Sequence, residues 1–170
     1  MTIEEAAGAV APAGAVAPAV TLKAIGHGRE VAIHAIGAPA VLMFVGRETQ
    51  SAVDPVVDAV RERYPEASQV TILNIADVRG IPRLVRRVAE QIMKSSYKER
   101  VDKLKPGQTP EEYVLILPDW DGDVFKALGV GDVSKTIFVA VLDRAGRIVG
   151  VYQGDDAAPA AVEMLGRAGA

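Results

Sequence analysis

An α/β fold with a mixed central sheet, parallel in the middle and antiparallel at one edge, follows from three features of this sequence. Continuous apolar runs of strand length occupy 40 to 45, 70 to 75 and 113 to 117, and continuous rather than alternating hydrophobicity marks strands covered on both faces. Segments with helical periodicity separate these runs, so the strand, helix, strand order makes a parallel pair joined by a right-handed crossover. A hairpin pattern at 136 to 152, turning at Asp143 to Gly146, precedes a last helix from about 157 to 167.

The elements can be justified in chain order. Residues 6 to 19 hold little except Ala, Gly, Val and Pro, which bury little large apolar surface, and Pro12 and Pro18 resist helix. Residues 1 to 18 are therefore expected to be a flexible arm ahead of one domain at 19 to 170. Strand candidates at 20 to 22 and 30 to 33, joined through Gly26, His27 and Gly28, form an edge ribbon. After the first central strand, Ser51 is placed to cap a helix carrying Val53, Val56, Val57 and Val60 at helical spacing, with Pro65 just beyond its end. The longest helix, about 82 to 104, carries an apolar stripe from Leu84, Val85, Val88 and Ile92 on to Tyr97, Val101 and Leu104, and Pro106 and Gly107 close it. A short helix at 121 to 128 ends at Gly129.

Length and composition bound the function. At 170 residues with 49% apolar side chains, the chain builds one sizeable core. Nineteen basic against 22 acidic residues leave a net charge of -3, so no global field favours nucleic acid or an anionic membrane. There is no cysteine, which excludes disulfides and thiolate metal sites and leaves the compartment open. The acidic start, with Glu4 and Glu5, does not read as a secretory signal, and no apolar run reaches the roughly 18 residues of a membrane span. A soluble, cytoplasmic protein is the expectation.

Particular residues carry a family resemblance over about 15 to 168. Gly14 and Ala17-Pro18 lead into a strand, a hairpin and the apolar run ending at Phe44; Pro118-Asp119, Gly129-Val130 and a strand ending Asp143, Gly146 and Ile148 follow. This pattern resembles the thioredoxin-like superfamily, and within it the peroxiredoxin and alkyl-hydroperoxide-reductase-type redoxin group. The resemblance implies a three-layer sandwich with helices on both faces of the sheet.

The functional positions that the resemblance implies do not hold the family's chemistry. With Phe44 as anchor, a Cys-x-x-Cys would fall on Thr49, Gln50, Ser51 and Ala52, and a peroxidatic cysteine near Val53, none of which has sulfur. The slot of the superfamily's cis-proline holds Lys135, where a cis bond would cost about 2.5 to 4 kcal/mol, so a trans peptide is expected. Thiol exchange and peroxide reduction both need a sulfur nucleophile. The resemblance therefore implies a redox-inactive binding or interaction module, with no cofactor.

Three groups of residues are candidates for function. Arg47, Thr49 and Ser51 lie at the carboxyl end of a central strand and at a helix start, where open α/β sheets bind ligands and free amides attract anions. Asp119, Trp120 and Lys135 join them from the neighbouring loops, and capping alone also accounts for Thr49 or Ser51. This set suits a small anionic ligand, or, as an alternative, the anionic substrate of an enzyme working without thiols. Arg83, Arg87, Lys94 and Lys98 line one helical face within a segment, 79 to 105, of nine basic and three acidic residues, and form a docking surface for an unknown protein or simply a solvated face. A second copy of the chain is also open as a partner, whereas nucleic acid is not expected, since Tyr97 alone interleaves the basic residues.

Two further patterns fail on inspection. Asp119, Asp121 and Asp123 start like a calcium loop, but the sixth and twelfth positions are Val124 and Val130, so capping of the following helix explains them better. His27 and His34 are too few for a metal site, and neither has the context of a catalytic base.

Overall fold

The computed structural model describes residues 10–170, and the first half of the expected arm lies outside them. Five strands form one mixed sheet in the order β5-β4-β3-β6-β7, comprising β3 (Ala40–Val45), β4 (Thr71–Ala76), β5 (Ile116–Pro118), β6 (Phe138–Leu142) and β7 (Ile148–Gln153). The first three run parallel, and β6 and β7 are antiparallel to their neighbours. This is the expected α/β architecture, except that β5 is a short edge strand, since Tyr113 belongs to the helical turn Pro110–Tyr113. The ribbon of β1 (Thr21–Lys23) and β2 (Glu30–Ala32) is a separate two-stranded sheet, tied to β5 where the Ile25 N–H donates to the Ile116 carbonyl at 2.9 Å.

Alternation along β3 and β4 divides the core. On one face Leu42, Phe44, Leu73 and Ile75 pack against Leu22, Val31 and Ile33 of the ribbon region and against a short helix, Asp123–Leu128. Phe44 meets Phe125 and Phe138 edge-on, with centroids 5.0 and 5.5 Å apart. On the other face Val41, Met43 and Val45 meet two helices, α1 (Val53–Arg63) and the C-terminal α5 (Ala157–Arg167). In chain order the helices between them are α2 (Arg86–Asp102), α3 (Pro110–Tyr113) and α4 (Asp123–Leu128).

Residues 10–18 are hydrogen-bonded to the edge of the sheet. The Gly14 N–H donates to Ile148, Ala17 to Gly146, and Ile148 back to Ala15, so this stretch lies along the start of β7, with Ala17 in the core. Alanine and glycine leave the backbone accessible, and an exposed strand edge offers the partners that the side chains lack.

The long helix departs furthest from its pattern. No residue of α2 is fully buried. The second half of its stripe, Tyr97, Val101 and Leu104, packs with Met93 on Ile25, Val114 and Ile116, as a core stripe should. The expected first turn is a separate 3₁₀ turn, Arg83–Val85, in which Leu84 is 96% exposed, and in the first half of α2 Val88 is 61% and Ile92 54% exposed. The sheet ends at the three-residue β5, so no strand lies beneath that end of the helix. Among the described residues no helix is long and apolar enough to cross a membrane.

Candidate functional site

The loop after β3 is built around one side chain. Residues 47–52 form a 3₁₀ turn that runs into α1. Thr49, buried, accepts the Gly46 N–H at 2.9 Å on its Oγ1 and donates to the Val133 carbonyl at 2.8 Å. The hydroxyl thus sews the start of the helix to the loop before β6, and both of its functions as donor and acceptor are used. Ser51, expected as the cap, is exposed and caps nothing. The 3₁₀ turn already satisfies the amides at the start of α1, which removes the need for a side-chain cap.

The opposite loop is tied down as firmly. Arg79, beyond the end of β4, forks onto Asp77 at 2.9 and 3.1 Å and donates to the carbonyls of Val130 and Gly131 at 3.2 and 2.8 Å. Its guanidinium also lies 4.2 Å from the Phe125 ring centroid. Asp132 accepts the Ser134 N–H at 2.8 Å, and hydrogen bonding from Ser134 holds its carboxyl below the usual range. No cis peptide occurs among the described residues, so the bond before Lys135 is trans, as the lysine requires.

Between these loops lies a cleft of about 290 Å³. Thr49, Ser51 and Lys135 line it, as do Glu48, Asp155 and Asp156. Three acidic side chains around one lysine give it a negative balance, the reverse of what a small anion needs. Arg47 is exposed and does not line the cleft.

Asp119 and Trp120 do not reach the cleft either. Asp119 is buried, and its Oδ2 accepts the amides of Val124 and Phe125 at 2.9 and 3.1 Å, capping α4. Burial pushes its carboxyl up, and the hydrogen bonds from those amides oppose the shift. Trp120 is half-buried beneath Arg86, whose guanidinium lies 4.9 Å from its ring. The site expected from sequence thus divides into a cleft holding Thr49, Ser51 and Lys135 and a separate α4 cap.

The basic candidates lie together. Arg83, Arg87, Lys94 and Lys98 are all exposed, and among the described residues none makes an ion pair. They form a row beside uncovered Leu84, Val88 and Ile92. His27 spends its Nε2 on the Val114 carbonyl at 2.9 Å, and no group of three metal-binding side chains occurs among the described residues.

With strand order 5-4-3-6-7, α1 springing from the reactive-loop position after β3, and the trans loop before β6 facing it, the architecture is settled. The fold is thioredoxin-like. Superposition agrees: an uncharacterized thioredoxin-like protein from Porphyromonas gingivalis matches at TM-score 0.60 and 21% identity, over 89% of this chain and 90% of that one. The pneumococcal exposed lipoprotein thioredoxin from Streptococcus pneumoniae matches at 0.58 and 17%, over 87% and 99%. The thioredoxin domain of a thiol-disulfide oxidoreductase from Bacteroides vulgatus matches at 0.56 and 16%, over 91% and 99%. These neighbours share the thioredoxin-like fold and do not single out the peroxiredoxin-type group. By sequence, no family model and no curated protein matches the chain.

Some residues of this region went unread in the sequence. Arg79 counts there as one more basic residue, although its position just after a central strand places it to fasten a neighbouring loop. Glu48, Asp155 and Asp156 carry no local signal, because the cleft joins segments about a hundred residues apart.

Proposed function

We propose that this chain is a redox-inactive thioredoxin-like module that works by docking an acidic partner protein on the exposed face of α2. One observation carries the reading: Leu84, in the 3₁₀ turn Arg83–Val85 that leads into α2, and Val88 and Ile92 on α2 itself are left uncovered beside an unpaired basic row, Arg83, Arg87, Lys94 and Lys98. An apolar strip beside charge of one sign is the composition of an interface that a complementary, negatively charged surface covers. Two copies joined by a two-fold would set this patch against itself, basic row against basic row, so a second copy fits it less well.

The thiol chemistry of the fold has no atom to run on in this sequence, and the hydroxyl at Thr49 is committed to holding two loops together. A non-thiol enzyme acting on a small anionic substrate has less support. It needs Arg47 and Asp119 beside Lys135, yet one is outside the cleft and the other caps α4.

The test places a photo-crosslinking residue at position 88 and irradiates the cell of origin. A discrete adduct with an acidic protein is expected, lost at high salt and in the Arg83→Glu, Arg87→Glu double variant. No adduct, or one indifferent to both changes, overturns the docking reading. Turnover by the pure chain in insulin-reduction or peroxidase assays overturns the redox-inactive one.

A further inference from the structure

The described protein also has a cavity away from the loops of the thioredoxin-like site. With a volume of about 430 Å³, it opens between α1 and the end of α2, over the β3-β4-β5 side of the sheet. That volume lies within the range of small-molecule sites. Met43, Asn74 and Ile116 are register partners across the three strands, so their side chains lie in one row, and all three line the cavity. Ile72, Val57 and Leu104 complete the apolar wall.

Asn74 is the exception in that row. It is 5% exposed, in a strand whose other buried residues are apolar, and its Oδ1 has no hydrogen-bond partner among the described residues. Burying an unpartnered amide oxygen is costly, and a native protein that does so calls for a reason. Leucine has nearly the same shape and would carry no such cost.

The rim adds charge. Arg100 reaches Asp54 at 2.8 Å and Lys103 reaches it at 3.8 Å, while Lys105 lines the cavity with no ion pair among the described residues. Arg61 is spent, its Nη1 donating to the carbonyls of Tyr64, Glu66 and Val70. Four cations face three acids, Asp54, Asp58 and Glu62, which leaves one positive charge in excess.

We propose that this cavity is a binding site for a small amphipathic monoanion, with an apolar, ring-sized body, a hydrogen-bonding group that engages the Asn74 amide, and an acidic end at the Arg100, Lys103 and Lys105 rim. The apolar wall takes the body, and the amide gains the partner that the protein withholds. The site is independent of the docking face on α2, whose exposed residues do not line it.

The probe is 8-anilinonaphthalene-1-sulfonate, which has two aromatic systems, one N–H and one sulfonate. Titrated into the full chain, it is expected to saturate one site and to shift the Met43 methyl, the Asn74 side-chain amide and the Ile116 methyls in protein NMR spectra. Asn74→Leu weakens the probe about three- to tenfold, the worth of one hydrogen bond. Val57→Trp, which fills the cavity, abolishes binding, and Leu84→Asp with Ile92→Asp leaves it unchanged. Shifts centred on Leu84, Val88 and Ile92, an Asn74→Leu variant that binds as tightly as the parent, or no saturable binding overturns the proposal. The NMR arm on the unaltered chain stands even where a variant fails to fold.

Discussion

The Thr49 hydroxyl donates to the carbonyl of Val133, 84 residues away, at 2.8 Å, while accepting the Gly46 N–H. A side chain at the position where this fold places a reactive group here joins two loops. Thr49→Val keeps the shape and leaves a buried N–H and a buried C=O without partners, at a cost of about 1 to 3 kcal/mol. Thr49→Ser should cost far less, and urea unfolding of both variants measures the difference. A thiol placed there by Thr49→Cys should react slowly with a disulfide reagent, because the site is buried, whereas one placed by Ser51→Cys should react at the rate of an exposed thiol.

The uncovered stripe of α2 predicts a contrast in stability. Leu84→Asp and Ile92→Asp should each move the unfolding free energy by no more than about 0.5 kcal/mol, as exposed positions do. Phe44→Ala, which empties the ring cluster with Phe125 and Phe138, should cost about 3 to 5 kcal/mol. Denaturant titration of the three variants checks both halves, and a large loss at Leu84 would show that the stripe is covered.

Asp119 makes stability depend on pH in an unusual direction. Its folded carboxyl titrates above its unfolded value, so within that window the native state binds more protons. Stability from this group is full below the unfolded value, near about 3.9, and falls as pH rises through the folded one. Asp119→Asn removes that fall and keeps one oxygen to accept from Val124 or Phe125, which unfolding curves across the acid range would reveal as a flatter profile.

Gly26 holds the ribbon against α2. Its φ is +86°, and a Cβ there would run into the Tyr97 ring. Gly26→Ala combines a left-handed backbone penalty with overpacking, together about 2 to 4 kcal/mol. The His27 and Tyr97 rings, now edge-on at 5.8 Å, should separate, and the melting temperature should drop.

Asn74→Leu should raise the stability of the ligand-free chain by about 1 kcal/mol or more, because an unpartnered amide oxygen leaves the interior. Calorimetry decides it, and an unchanged or lower melting temperature would indicate that the amide has found a partner.

Much of this was legible in the residues themselves. The apolar runs of β3 and β4 and the periodicity of α1 are local patterns, which fix the type of element and the side chains that share a face. Asn74 was legible too, as one amide inside a run of Ile and Leu, although the run as a whole read as apolar. What misled was the stripe of α2, whose spacing is that of a buried helix along its whole length. Period tells which residues share a face, and says nothing about whether the sheet extends far enough to cover it.

Sequence by itself determined that no thiol is available, that helices and strands alternate in an α/β order, and that lysine stands in the loop before β6. These are properties of composition and of neighbours along the chain. Only the tertiary structure decided that Thr49 is locked to Val133, that Asp119 turns inward to cap α4, that Glu48, Asp155 and Asp156 line the same cleft as Lys135, and that half of α2 faces solvent. Each depends on contacts between segments that no local pattern relates, because burial and charge balance at a site are sums over everything that packs there.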